Sequence, residues 1–395
     1  MHSIGVRSLG LVGVGAAVAL SLCSFSVGCS SGGGTTNPLP NLGNLGNPGN
    51  PPGGSVDAGS TKPDTGGSVT PGQDAGGTPA TDSGPGGSSD APPTPPPAST
   101  ISASTTWADG QQIAVSTAIA AGVTVTIAPG ATVTFASGTS LTIEGTLTAA
   151  SATGTHATLT AAAGGTWTGL VVASGGTLAL DGVDITSAAT AIETQGGNTA
   201  ATYDDGTITG AATPFKVDKG STLSTTHGTT SGTQGASAVL GSFTASYLTY
   251  AKGASSEGIV MQDPTATMSI EDSTLTGSGP AGDMVVSATG ASLHMAYSTI
   301  SNVHCAFHFD SIDAFDVSYT TADGNAWAAM LYGSTPGAGP YSIKDSNFAQ
   351  NSSYALDEEG TNGTITVDSC YIAGQDQGVT ATNPKSAAIA TAKPR

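Results

Sequence analysis

The chain has 395 residues, of which only 9% are charged, and its 28 acidic side chains against 9 basic ones give a formal net charge of −19. From residue 101 onward 23 acidic residues stand against 7 basic ones, a net charge of −16; this excludes a nucleic-acid partner and disfavours anionic membrane surfaces. Arg7 and Arg395 are the only arginines, so chemistry that needs an arginine base between them has no candidate.

The first segment reads as an address. His2 and Arg7 open it, a short apolar run of small residues extends from Leu9 to Leu22, and Ser26-Val27-Gly28-Cys29 closes it. The last four residues resemble a bacterial lipobox, with Ser26 where leucine is usual. The resemblance implies that residues 1–28 are a lipoprotein signal peptide, that Cys29 is lipidated, and that the mature chain is anchored to membrane lipid. The implied location is the cell envelope, at the outer membrane or cell surface. The alternative is an ordinary secretory signal. A membrane span is disfavoured, because the run is interrupted by small and polar residues and a span needs about 20 apolar ones.

Residues 29–100 are a tether. The stretch from 31 to 100 holds 17 glycines and 14 prolines, so it has almost nothing to bury against its ordering entropy. A flexible chain of this length spans roughly 45 Å.

From 101 to 376 the pattern alternates with period two and shows no helical stretch. Gly122–Phe135 and Leu141–Thr148 alternate apolar residues with threonine. Further on, an apolar pair five residues apart recurs: Leu180/Ile185, Tyr203/Ile208, Phe243/Leu248, Ile270/Leu275, Met295/Ile300, Val317/Ala322, Ile343/Phe348 and Val367/Ile372. Short strands repeating every 20 to 27 residues or so predict a solenoid, whose turns must stack to bury their apolar faces. The count predicts about 11–12 turns, with 216–232 as one irregular turn, residues 101–121 capping one end, and 377–395 as a loose tail.

These strands, with Trp167-Thr168-Gly169-Leu170, Ser269–Leu275, Ser342–Phe348 and Thr366–Ile372, resemble the right-handed parallel β-helix superfamily that includes pectin and pectate lyases. The resemblance implies an all-β, right-handed parallel β-helix. Lyases of this fold use an arginine base with calcium held by aspartates, and the base is missing here. A lysine could replace it, with Lys216, Lys219, Lys252 and Lys344 at hand. Hydrolases of the fold use clustered aspartates, an adjacent His-Gly and a basic strand motif. Asp204-Asp205-Gly206 and His227-Gly228 supply two of those pieces without the third, and turns of the repeat account for them equally well.

The most suggestive cluster is His304-Cys305-Ala306-Phe307-His308-Phe309-Asp310. On a strand, Cys305, Phe307 and Phe309 face the core and His304, His308 and Asp310 the outside. Histidines four apart on a strand lie about 13 Å apart and cannot share a metal, whereas His308 and Asp310 can converge. Aligning turns brings Asp283, Tyr332 and Asp357-Glu358-Glu359 to the same edge. Such a face can bind glycan or a surface protein, or hold Ca²⁺ through oxygen ligands; otherwise the protein needs no cofactor. It can also supply catalytic groups, His308, Asp310 and Asp283; the bland reading is a solvated polar face.

Three further features complete the reading. Thr-x-Thr triplets begin at Thr124, Thr132, Thr146, Thr158, Thr166, Thr207, Thr274 and Thr364; regular arrays of this kind bind ice in some solenoids, though irregular turn spacing argues against a flat lattice match. Trp107, Trp167 and Trp327 show no aromatic neighbours in series, and the latter two are expected as core or cap. Cys305 and Cys370, nearly three turns apart, are too distant for a disulfide and are expected as buried free thiols. The expected function is a lipid-anchored envelope protein displaying a non-catalytic rod for surface interaction. The alternatives are a polysaccharide hydrolase, epimerase or lyase using carboxylate, His or Tyr, and ice binding.

Overall fold

The computed structural model describes residues 98–395 apart from 153, 255–256, 333–340, 360–364 and 378. The predicted signal segment, Cys29 and the tether up to 97 lie outside the described residues.

Every element among the described residues is a strand, and the strands pair in parallel across successive turns. The chain winds into an all-β solenoid of about 11 turns, consistent with a right-handed parallel β-helix. Each turn has three sides. The first sheet includes Ser140–Ile143, Gly169–Val172 and Trp327–Tyr332; the second includes Thr124–Ile127, Thr146–Ala149 and Thr267–Glu271; the third includes Thr132–Phe135, Thr207–Thr209 and Thr274–Thr276. Three long strands, Val285–Ala296, Cys305–Ser318 and Asn347–Glu359, run past a corner and serve two sheets each. Ser99–Ile101, Thr105–Trp107 and Gln111–Ile113 pair with the next turn on all three sides, so the segment expected to cap the rod is itself its first turn.

Alternation along each strand decides the core. In Thr132–Phe135, Val133 and Phe135 are fully buried while both threonines stay half-exposed, and the register stacks like positions on like. Leu180, Tyr203, Thr225, Ala245, Ile270, Met295, Val317, Ile343 and Val367 form one inward column of the second sheet. Ile208, Thr230, Tyr250, Leu275, Ile300 and Ala322 form its counterpart on the third.

Two expectations are corrected by these columns. The stretch 216–232 is part of a regular turn, with strands Thr213–Val217, Thr222–Thr226 and Thr229–Ser231. Its inward residues in the two columns are Thr225 and Thr230, which break the apolar pattern without breaking the fold. The next turn's pair is Ala245/Tyr250, and Phe243 stacks two positions away with Leu223 and Met268.

Between the second and third sheets one residue per turn takes the left-handed conformation: Asp205, His227, Tyr247, Asp272, Tyr297, Tyr319, Asp345 and Ser369, with φ from 47° to 57°. The backbone N–H of each donates to a carbonyl of the following turn, as in Asp205 to Thr226 (2.9 Å) and Tyr297 to Ser318 (3.1 Å). The left-handed residue's own N–H is therefore satisfied at each of these corners. Because turns of unequal length leave the strands in register, Thr207, Thr229, Thr249, Thr274, Thr299 and Thr321 form an unbroken outward column.

The segment expected as a loose tail folds back along the solenoid. The Lys385 N–H donates to the Cys370 carbonyl (2.8 Å), the Ile389 N–H to Asn347 Oδ1 (2.7 Å), and the Thr321 hydroxyl to the Ala392 carbonyl. The Arg395 guanidinium then grips Asp272 through Nε (2.9 Å) and Nη2 (2.8 Å) and lies 4.0 Å from the centre of the Tyr297 ring.

Candidate functional site

The strand that begins at Cys305 and the bend before it assemble the site. Phe307 and Phe309 point into the core beside Phe315, with ring centres 5.6 and 5.2 Å from it. His308, between them in sequence, must face the other way. Asp283, one turn earlier, lies under it, and His308 Nδ1 reaches Asp283 Oδ2 at 2.5 Å. His304 Nδ1 reaches the other oxygen, Oδ1, at 2.9 Å, and the Cys305 backbone N–H donates to the same Oδ1 at 2.9 Å.

This corrects two geometric expectations. The outer face here is covered rather than solvated: His308 is 8% and Asp283 7% exposed. The two histidines also converge, because the strand starts at Cys305 and residues 302–304 form a bend. The 13 Å separation assumed an extended chain through His304. The expected inward direction of Phe307 and Phe309 holds, and Cys305 and Cys370 are buried free thiols.

Several polar groups around this pair hold one another in place. The Asp283 backbone N–H donates to Glu257 Oε2 (2.5 Å), His308 Nε2 lies 3.5 Å from Asp310 Oδ1, and Lys252 Nζ donates to the Ala281 carbonyl (2.6 Å). Burial alone would push the Asp283 carboxyl up, yet the hydrogen bonds from His304 and His308 hold it well below the usual carboxylate range. Burial opposes a charge on His308, and the bond to Asp283 more than offsets it, raising the imidazole's pKa. Burial raises Glu257 and Glu358 and pushes the Cys305 thiol far up.

Asp357 is buried two turns on in the outward column that runs from Val286 through His308 and Met330. Glu358, next to it, stands half-buried. Tyr332 and Glu359 are register partners at the strand ends, and their side chains lie outside the described residues. Alignment of turns therefore brings Asp283, His308 and Asp310 together and puts Asp357 on the same column.

Sequence reasoning missed the aromatic wall. Trp327 is half-exposed, stacks on Tyr354 one turn away (6.2 Å between ring centres, 20° between planes), and meets the His304 ring edge-on at 4.8 Å. Trp327 pairs in register with Cys305 and Tyr354, a relation that an aligned repeat could have revealed. Trp167, by contrast, is a core residue stacked on Phe135 at 4.0 Å. A separate groove of about 310 Å³ on the second sheet was also missed; His294 and Asp316, bonded at 3.0 Å, stand in it.

The other candidates serve the fold. Lys216 pairs with Glu193 at 2.5 Å and Lys219 with Asp263 at 3.0 Å. Asp205 and His227 are corner residues, and Asp204 accepts the Thr226 N–H at 2.8 Å, which is the turn reading of both motifs. At Asp283 the converging donors are oxygen, nitrogen and sulfur, a poor match for calcium, which takes six to eight oxygens.

Fold and site together define a parallel β-helix protein with a buried carboxylate, imidazole and thiol cluster beside an aromatic pair. Comparison of the chain with protein-family models, with curated proteins and with solved structures returned no match.

Proposed function

We propose that this is a non-catalytic display protein: a β-helix held to the cell envelope through a lipid on Cys29 and the Gly- and Pro-rich tether that follows it, binding a glycan on its first sheet. The observation that carries this reading is the Trp327–Tyr354 stack beside Asp283. Stacked rings offer a rigid apolar platform, and Asp310, further along the adjacent strand, stands exposed for hydroxyl contacts. Against catalysis stands the state of Asp283. Both its oxygens accept hydrogen bonds, from two imidazoles and an N–H, so it is poorly placed to act as a nucleophile or base.

The test is a polysaccharide screen on the full chain, with and without Ca²⁺, reading both binding and new chain ends. Binding without new ends, weakened about tenfold by Trp327→Ala, is the expected outcome. New reducing or unsaturated ends that vanish in His308→Ala would replace this reading with an enzyme.

A further inference from the structure

Donor side chains of three chemistries cluster beneath the aromatic wall: a carboxylate, a thiol and two imidazoles. Asp283, Cys305 and His308 place a carboxylate oxygen, a thiol sulfur and a ring nitrogen all within 4.8 Å of one another. His304 joins them, its Nδ1 lying 2.9 Å from Asp283 Oδ1 and 3.3 Å from Cys305 Sγ. Tetrahedral zinc sites use bonds of about 2.0–2.3 Å, which set ligand atoms roughly 3.3–3.8 Å apart. The shortest observed separations lie at or below that range, because these groups now share hydrogen bonds, and small side-chain rotations would open them to it.

The surroundings have the form that such a site needs. Asp310 lies 3.5 Å from the far ring nitrogen, Nε2, of His308, so a small shift would give the carboxylate–histidine hydrogen bond that orients a ligating imidazole. The bend at 302–304 aims His304 back, and the Cys305 N–H and Glu257 fix Asp283 from two sides. Three of the four ligands are buried, while the His304 side chain is 38% exposed and gives an ion its route in. Met330 Sδ lies 2.8 Å from Cys305 Sγ, adding a second sulfur.

We propose that Asp283, His304, Cys305 and His308 bind one thiophilic transition-metal ion of the Zn²⁺ or Cu⁺ class. A thiolate with two imidazoles selects such ions over Mg²⁺ and Ca²⁺. On binding, the thiol proton is released to solvent; an imidazolium likewise releases its Nδ1 proton, while a neutral imidazole moves that proton to Nε2, so that each ring ligates as a neutral group. The proposal is independent of glycan binding.

The test uses the full chain, stripped with a chelator and titrated with Co²⁺. Expected are one Co²⁺ per chain, a thiolate-to-cobalt charge-transfer band, and displacement by Zn²⁺ or Cu⁺ but not by Ca²⁺. Sensitivity of Cu⁺ but not Zn²⁺ binding to Met330→Leu would assign the site to copper, and equal insensitivity would assign it to zinc. Cys305→Ser should abolish the band, and Asp310→Asn should weaken binding about tenfold or more. If Cys305→Ser fails to fold, His304→Gln, at the exposed ligand, should still weaken binding at least tenfold. No uptake by folded wild type, or an undiminished band in Cys305→Ser, would overturn the proposal. Glycan binding, read separately through Trp327→Ala, can fail or succeed without altering either result.

Discussion

Thr225 occupies an inward position of the second sheet, between Tyr203 and Ala245 in its column. It is 1% exposed, and its hydroxyl is buried with no hydrogen-bond partner. Such a group loses its water and regains nothing. Thr225→Val keeps the shape and removes the hydroxyl, so it should stabilise the protein by about 1 kcal/mol, seen as a higher denaturant midpoint with an unchanged slope. Thr230, its neighbour on the third sheet, differs: its hydroxyl accepts the Ala251 N–H at 3.1 Å, and Thr230→Val should bring no gain. This pair also explains why the sequence looked irregular there. Hydrophobic periodicity sees chemistry and not shape, and threonine has the branched outline that the column needs. The same limit applies at the site. Strand alternation and turn length were enough to set Asp283, His308 and Asp310 side by side. They could not reveal the Trp327–Tyr354 stack or the convergence of His304. Those depend on where a strand starts after a bend, and one residue of shift there changes every partner.

At the scale of an element, the segment 383–395 holds to the solenoid through few contacts, the strongest at Asp272. Arg395 hydrogen bonds lower the pKa of the Asp272 carboxyl below its ordinary value. A carboxyl depressed on docking contributes fully above its free pKa, about 3.9. Its contribution is lost as pH falls through the lower docked value. Amide exchange in 385–395 should therefore be slow at neutral pH and speed up as pH falls below about 4, after correction for the intrinsic rate. In Asp272→Asn it should be fast throughout, and a protected segment in that variant at neutral pH would mean that Asn347 and Thr321 suffice to hold it. None of this was legible beforehand: the segment has no alternation, and its partners lie up to 123 residues away.

Across the whole solenoid, each turn touches chiefly the turns before and after it, so stability is distributed rather than pooled in one core. Phe307 is fully buried against Phe309 and Phe315. Phe307→Ala should cost about 3–5 kcal/mol, but locally. Hydrogen exchange should quicken in Val285–Ala296 and Trp327–Tyr332, its neighbours in register, and stay unchanged in Thr124–Phe135. Uniform loosening from one end to the other would show instead that the molecule unfolds as a single cooperative unit.

The left-handed corner carries a consequence for how such a chain can change over generations. Each of these corner N–H groups donates to the following turn, so one turn meets the next through the same backbone bond at every such corner. A complete turn is thus an interchangeable part. Duplicating or deleting one away from Val285–Ala296 and Cys305–Ser318, the strands that carry His294, His308 and Asp316, keeps this corner bond at the junction and changes the solenoid by one turn while both sites stay intact.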